Sequence, residues 1–286
     1  MILKRCSNGA EQADGIKQAD GGGLQAAQNR DGGGFAGQGT GSVFMSGRCL
    51  DGGGKAADGA VIFVCGQTAT GKSAYAVNLA LELGGEIISC DSMQIYRGAD
   101  IGTAKITRHE MRGVPHHMID ILHPSESFNV AQYKAAAVQI AGEIAARGKV
   151  PIFCGGTGLY ANAVLFDYGF NSSKGAIAQA GLPKINARVT VLTMQRERLK
   201  ERLERRVNSM FEAGLEDEVK ALLQCGAAWS SQCMRAIGYR EFRGYFEGGA
   251  TLGEVRQLII KNTGAYAKRQ GTWFRSWRGF AEYVEV

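Results

Sequence analysis

The chain has 286 residues, 45% of them apolar, enough for one large domain or two small ones with a sizeable core. Its longest purely apolar run, Ala60 to Cys65, falls far short of the roughly 20 residues of a membrane-spanning helix, so no such helix and no membrane partner are expected. The formal net charge is +6, and because residues 1–59 carry six basic and six acidic side chains, all of the excess lies in residues 60–286.

Lys4 and Arg5 are followed by polar, Gly-rich sequence and not by the apolar stretch of a secretory signal, so the cytoplasm is the expected location. Sixteen of the 41 glycines fall in residues 1–59, a segment without proline and with little hydrophobic period. Such a segment buries too little surface to offset its ordering entropy, and a disordered leader is expected there. The seven cysteines form no CxxC or Cys/His cluster, which argues for free thiols and against a disulfide framework or a zinc site.

Residues 60–286 are expected to form the folded domain. Ala60-Val-Ile-Phe-Val-Cys65 is a continuous apolar run, the pattern of a strand covered on both faces. The sequence from Lys72 to about Leu83 predicts a helix that Gly84-Gly85 ends, and Glu86 to Cys90 predicts a second strand. A strand, helix and strand within about thirty residues form a βαβ unit with parallel strands. Val130, Tyr133, Ala137, Ile140 and Ile144 recur at helical spacing, Gly148 closes that segment, and Val150 to Cys154 predicts another buried strand.

Asn171 to Arg188 is rich in Gly, Ala, Ser and Asn and shows no strong period. Val189 to Leu192 predicts a fourth strand, followed by a charged helix from about Gln195 to Ser209. Residues 212–224, 231–246 and 253–275 are helix-like and charged on one face. The expected fold is α/β, a P-loop NTPase-like doubly wound parallel sheet with a mainly helical C-terminal portion. Within that portion Lys261, Lys268, Arg269, Arg275 and Arg278 meet no acid in sequence, a run that suits phosphate binding or a solvated helix face.

Gly66-Gln67-Thr68-Ala69-Thr70-Gly71-Lys72-Ser73 fits GxxxxGK[ST] at every required position, after a strand and before a helix. Its glycines let backbone amides turn toward an anion, and the helix start adds the positive end of its dipole. Lys72 supplies a mobile positive charge to terminal phosphates, and Ser73 a hydroxyl ligand for Mg²⁺. Asp91 lies at the end of the second strand, on the rim expected to carry the P-loop. There it could hold Mg²⁺ through water, accept a proton from a nucleophile, or cap a turn. Gly155-Gly156-Thr157-Gly158-Leu159-Tyr160 opens toward the same rim, with Thr157 able to hydrogen-bond a substrate.

These motifs come in a familiar order. The P-loop, Asp91-Ser-Met-Gln-Ile-Tyr-Arg-Gly98, Asp100-Ile-Gly-Thr-Ala-Lys105, Pro115-His-His-Met-Ile-Asp120 and the Gly155 to Tyr160 block resemble the consecutive motifs of the tRNA dimethylallyltransferase family. Arg206-Val-Asn-Ser-Met210, Gly214-Leu-Glu-Asp-Glu-Val219, Ala236-Ile-Gly-Tyr-Arg-Glu241, Tyr266-Ala-Lys-Arg-Gln270 and Thr272-Trp-Phe-Arg275 extend the resemblance, which covers about residues 60–170 and 189–278.

The resemblance implies transfer of a dimethylallyl group from dimethylallyl diphosphate to N6 of the adenosine 3′ of a tRNA anticodon, position 37, to give N6-dimethylallyladenosine. It implies that the P-loop, Gly66 to Ser73, holds the diphosphate with Mg²⁺, that Asp91 is the general base, and that Thr157 lies against the reacting centre. Asp91, Ser92, Met93, Gln94 and Thr157 would meet the extruded base and so contact tRNA. Lys72 and Ser73 would stabilise developing diphosphate charge. The partners are then tRNA and dimethylallyl diphosphate, and a monomer is expected.

Two departures from the family pattern stand out. A helical insertion that grips the anticodon stem is reduced here to the stretch at about 171–188, and Thr263-Gly264 stands where the family has Thr-Arg, an arginine expected to help neutralise the diphosphate. Two other readings of the motifs are a P-loop kinase or NTPase acting on ATP and a small molecule, and a degenerate, non-catalytic diphosphate-binding relative.

Overall fold

The first strand, β1 (Val61–Gly66), is buried at every residue, as its unbroken apolar run requires of a strand sandwiched between helices. The computed structural model describes residues 61–169 and 182–286. The leader expected over residues 1–59, together with most of the 171–188 stretch, lies outside the described residues. Of that stretch, Ala187 and Arg188 already belong to a strand.

After β1 come α1 (Lys72–Leu83), β2 (Glu86–Ser89), α2 (Arg108–Met111), β3 (His116–His117), α3 (Val130–Ala146), β4 (Pro151–Gly155) and α4 (Gly158–Leu165). Beyond the undescribed segment follow β5 (Ala187–Thr193), α5 (Arg196–Glu212), α6 (Leu215–Gln224), α7 (Arg243–Phe246), α8 (Leu252–Arg275) and β6 (Glu282–Glu285). Among the described residues the strands form one six-stranded sheet in the order β3-β2-β4-β1-β5-β6, with every pairing parallel. The doubly wound parallel sheet predicted from the alternation of strand and helix patterns is therefore present.

Alternation along β1 divides the core between the two faces. Ile62 and Val64 join Ile87, Ile152 and Leu192 beneath Ala76, Val77 and Ala80 of α1. Val61, Phe63 and Cys65 point the other way, toward α3, α4 and the end of α8, where Phe63 stacks on Phe153 with ring centroids 4.5 Å apart and Tyr133 on Tyr160 at 3.9 Å. Trp277 and Phe274 are buried in the same layer, so the C-terminal helix is part of the core. A second core, built from α5, α6, α8 and the 95–99 segment, surrounds Tyr96, Tyr239 and Phe242.

The helical prediction for residues 231–246 is corrected by the structure. This stretch forms two short 3₁₀ turns, Cys233–Arg235 and Arg240–Phe242, before the four residues of α7. Gly238 takes a left-handed φ of 103° and its amide donates to the Glu241 carboxylate, a local bond that competes with helix propagation. The helix predicted over 212–224 begins only at Leu215, because Gly214 adopts a φ of 93° and separates it from α5. The strands β3 and β6 were not predicted: β3 has two residues, and β6 is an edge strand with exposed ends and only its two middle residues half-buried.

Two buried carboxylates fix segments that the sheet alone leaves unpaired. Glu218 of α6 accepts from the amides of Asp100, Ile101 and Gly102 at 2.9, 2.6 and 2.8 Å and from the Tyr239 hydroxyl at 2.7 Å, so it shapes the loop before α2. Glu86 at the start of β2 is met by His117, Arg147 and Lys149 at 2.7, 2.7 and 2.9 Å. Burial alone would raise its pKa, but these three partners hold the carboxyl down to about 2, against an ordinary value of 4.5. A depressed acid stabilises the fold above the unfolded pKa and loses that contribution as pH falls through the folded one. Glu86→Gln is therefore expected to lower the melting temperature at pH 7, with the gap to the unsubstituted protein closing between pH 4.5 and pH 2 in thermal melts across that range.

Candidate active site

The C-terminal ends of β1, β2 and β4 share one rim, and the loops that follow them build a cleft of about 330 Å³, within the range of small-molecule sites. The P-loop turns through left-handed conformations at Ala69 and Gly71, with Gly66 at a φ of 139°. A side chain at Gly66 would lie 2.4 Å from the Leu192 carbonyl, so this position has room for glycine alone. Lys72 Nζ and Thr70 Oγ1 both donate to the Gln67 carbonyl, at 2.7 and 2.8 Å, which folds the lysine back over the loop.

Thr68, Lys72 and Ser73 line this cleft together with Asp91, Ser92, Met93, Gln94, Gly155 and Gly156. Gly66 and Gln67 face a second cleft, and Ala69 and Gly71 an outer surface beside α5. Asp91 lies two residues beyond β2. Its Oδ1 accepts from the amides of Met93 and Gln94 at 2.9 and 3.4 Å, fixing the carboxylate as the turn leaves the sheet. Thr157 Oγ1 accepts from the Ser92 amide at 3.1 Å and contacts Ser92 Oγ at 3.4 Å, while its own amide donates to the Cys90 carbonyl. The loops after β2 and β4 are thus tied together directly.

Three residues of the site carried no assigned role in the sequence reading. Arg206 of α5 reaches into the cleft, donating to Thr68 Oγ1 at 3.2 Å and to the Thr103 carbonyl at 3.4 Å. Gln270 of α8 accepts from the Thr68 amide at 2.7 Å and donates to the Gly156 carbonyl at 2.9 Å. Tyr266, one turn earlier, lies beside Thr157 and Gln270 on the cleft wall. The available signal was their membership of the Arg206 to Met210 and Tyr266 to Gln270 blocks, but nothing in local periodicity shows that α5 and α8 converge on the P-loop.

Gly264 does not line this cleft. Thr263, Tyr266, Arg269 and Gln270 form its α8 wall, whereas Gly264 lies on another face of the helix with Lys261 and Lys268. Gly264 lines the second cleft, to which Gly66 and Gln67 of the P-loop also belong. The cation in the cleft from outside the P-loop motif that touches the loop itself is Arg206.

Electrostatics follow from this crowding. Burial, with the neighbouring Arg206 charge, lowers the Lys72 pKa to about 8, although Cys154 and Asp91 act in the opposite direction. Burial also lowers Arg206, and Asp91 opposes that shift. Burial raises Tyr266 to about 12 and Cys154 to about 11, so both keep their protons at neutral pH. Among the described residues no cluster of three or more His, Cys, Asp or Glu side chains could enclose a metal ion. The donors at hand, the Ser73 hydroxyl and Asp91 carboxylate, suit an ion that takes its remaining ligands from water and phosphate oxygens.

The comparisons with known proteins agree with this arrangement. The family profile described as IPP transferase matches residues 94–181 and 171–277, and that described as isopentenyl transferase matches residues 59–123. The tRNA dimethylallyltransferase of Bacillus pumilus is 38% identical over 276 residues, covering 76% of this chain and 86% of the relative. The chain belongs to the IPP transferase family. The Bacillus subtilis tRNA dimethylallyltransferase is 37% identical, with 76% of this chain and 88% of the relative covered. The solved structure of the full-length tRNA isopentenylpyrophosphate transferase from Bacillus halodurans superposes with a TM-score of 0.73 at 38% identity, covering 79% of this chain and 89% of that one. No helix among the described residues is long and apolar enough to cross a membrane.

Because a lysine with a pKa near 8 sheds its charge in mildly alkaline solution, diphosphate affinity is expected to fall as pH rises through 8. Calorimetric titration with inorganic diphosphate between pH 6.5 and 9.5 would show this fall, and Lys72→Met should weaken binding about 10- to 100-fold and flatten the profile, as loss of a charge-assisted bond implies.

Proposed function

We infer that this chain transfers a dimethylallyl group from dimethylallyl diphosphate to an adenosine of tRNA. The single observation that carries the reading is the convergence of an anion-gripping loop and a fixed carboxylate on one cleft of a member of the IPP transferase family. The acceptor is taken to be N6 of the adenosine 3′ of the anticodon, position 37, with the cytoplasm as the place of reaction.

In this reading the diphosphate lies along the P-loop from Gly66 to Ser73, against Lys72 and Arg206. Mg²⁺, held by the Ser73 hydroxyl and diphosphate oxygens, would neutralise charge on the leaving group. The extruded adenine enters between the 91–94 turn and Thr157, where the side chains of Ser92, Met93 and Gln94 can meet its edge. The adenine amine attacks the first carbon of the dimethylallyl group, the carbon–oxygen bond to the diphosphate breaks, and the amine proton passes to Asp91. Thr157, tied to both Ser92 and Cys90, positions the amine. Lys72 and Arg206 oppose the charge that grows on the departing oxygen.

Support for a shortened insertion comes from the alignments. The relative from Bacillus pumilus aligns over 276 positions while only 76% of this 286-residue chain takes part, so tens of positions in the alignment have no residue of this chain. The two IPP transferase matches also overlap at residues 171–181. With the grip on the anticodon stem reduced, the apparent affinity for tRNA is expected to lie below that of the Bacillus subtilis relative in side-by-side titrations. A P-loop kinase is not favoured, since that chemistry has no need of the Thr157 loop or of Tyr266 and Gln270.

Purified protein incubated with labelled dimethylallyl diphosphate, Mg²⁺ and unmodified tRNA is expected to place label in RNA; an unlabelled RNA fraction would sink the reading. Asp91→Asn should reduce transfer about 10²- to 10⁴-fold, the usual contribution of a general base, while leaving diphosphate affinity within about threefold. Full activity in that variant would remove Asp91 from its role.

A further inference from the structure

Three of the motif blocks in the sequence, at 100–105, 214–219 and 236–241, meet on a single buried carboxylate. Glu218 is 5% exposed, and both of its oxygens accept two hydrogen bonds, the full capacity of a carboxylate. Its Oε2 accepts from the amides of Asp100 and Ile101, and its Oε1 from the amide of Gly102 and from the Tyr239 hydroxyl. Neither Glu218 nor Tyr239 lines the P-loop cleft, so neither touches a ligand bound there. Stability alone gives no reason for a buried charge at this place, since well-packed apolar groups often serve as well or better. A carboxylate that collects three successive amides does what apolar packing cannot: it fixes the direction of the backbone.

That direction matters one residue further on. Thr103 Oγ1 donates to the Ala99 carbonyl at 2.7 Å, the Lys105 amide donates to the Asp100 carbonyl at 2.9 Å, and Lys105 Nζ reaches the Tyr96 carbonyl at 2.7 Å, so the turn is closed on itself. The Tyr239 ring lies so near that a Cβ at Gly102 would stand 2.2 Å from it. From this braced turn the Thr103 carbonyl meets the cleft, where it accepts from Arg206 Nη2 at 3.4 Å and from Gln94 Nε2 at 3.3 Å. One carbonyl oxygen has two lone pairs and can serve both donors. Both bonds are long, and both donors end flexible side chains, so their alignment depends on where the carbonyl points.

In the transferase reading, on which this inference rests, Arg206 stands on the diphosphate side of the cleft and Gln94 on the base side. We propose that Glu218, completed by Tyr239, is a positioning residue for the transfer: by holding the amides of residues 100–102 it sets the Thr103 carbonyl, and through that one acceptor it orients Arg206 for the diphosphate and Gln94 for the adenine together. The alignment of the two substrates is thereby tied to a group that contacts neither. Displacement of the turn moves both side chains at once, so both affinities and the rate fall together.

Glu218→Gln keeps the size of the side chain, but its NH₂ group faces at least one backbone amide whichever way it is turned, so the turn loses an anchor while the core keeps its volume. In labelled transfer to unmodified tRNA, kcat is expected to fall about 10- to 100-fold, the effect of misplacing a reacting group by about 1 Å, with a raised KM for tRNA. Calorimetric titration should show a parallel loss of affinity for inorganic diphosphate. Double-mutant cycles separate positioning from stability. Because Glu218 acts through Arg206 and Gln94, the loss of diphosphate affinity on Arg206→Ala and the rise in tRNA KM on Gln94→Ala should each be at least about threefold smaller in the Glu218→Gln background than alone. Tyr239→Phe, which removes one hydroxyl and leaves Gly102 bonded, carries the same cycles if Glu218→Gln folds poorly. The diphosphate cycle needs no turnover, so it decides whether Glu218 positions Arg206 even if no label enters RNA, the result that counts against the transferase reading itself. Losses that multiply in both double variants, or unchanged kcat and affinities in a variant that only melts at a lower temperature, would overturn the proposal.

Discussion

The side-chain amide of Gln270 joins the two loops on which the site is built. Its oxygen accepts the Thr68 amide of the P-loop and its nitrogen donates to Gly156 in the loop after β4, at 2.7 and 2.9 Å, from a position only 6% exposed. An amide can do both because it presents an acceptor and a donor in one plane; a carboxylate would turn an oxygen toward the Gly156 carbonyl. The arrangement also demands glycine at 156, where a Cβ would stand 2.2 Å from the Gln270 nitrogen. Gln67 adds a bond of its own between the P-loop and α8, to the Ala267 carbonyl. A helix near the end of the chain thus closes a site begun more than 200 residues earlier in sequence.

Close backbone approach repeats at the strand ends. At Gly155 a side chain would come within 2.2 Å of the Cys90 carbonyl, so β2 and β4 can leave the sheet side by side only with glycine there. That contact lets Thr157 bond back to Ser92 and to Cys90, which aligns the turn carrying Asp91 with the loop opposite. Behind this layer Glu218 performs a parallel task with three backbone amides, and the loop it fixes offers the Thr103 carbonyl to both Arg206 and Gln94. The Arg206 side and the Gln94 side of the cleft therefore lean on one carbonyl.

Much of this was legible in the sequence wherever local signals and tertiary demands coincide. The P-loop, the span of α1 and the buried runs of β1 and β4 follow from spacing and glycine placement, and the structure reproduces them closely. Residues 231–246 misled because their apolar positions, including Cys233, Met234, Tyr239 and Phe242, serve a shared core through irregular turns and not through one helical face. Arg206 and Gln270 were unreadable as site residues because their partners are distant in sequence, and periodicity within α5 or α8 carries no record of them.

The charge balance of the cleft explains why it is built around a mobile lysine. Burial, and with it the Arg206 charge, lowers the affinity of Lys72 for a proton, and in the described conformation Lys72 is satisfied by the Gln67 carbonyl. Asp91, committed to two backbone amides, steadies both cations electrostatically without forming an ion pair with either. An arriving anion would supply what the protein withholds, a close negative partner for two buried positive charges, and would draw Lys72 off its own loop. A negative partner close to Lys72 would favour its charged form. Asp91 remains available, since bonds from two backbone amides fix its position without consuming the carboxylate's remaining capacity to accept a proton.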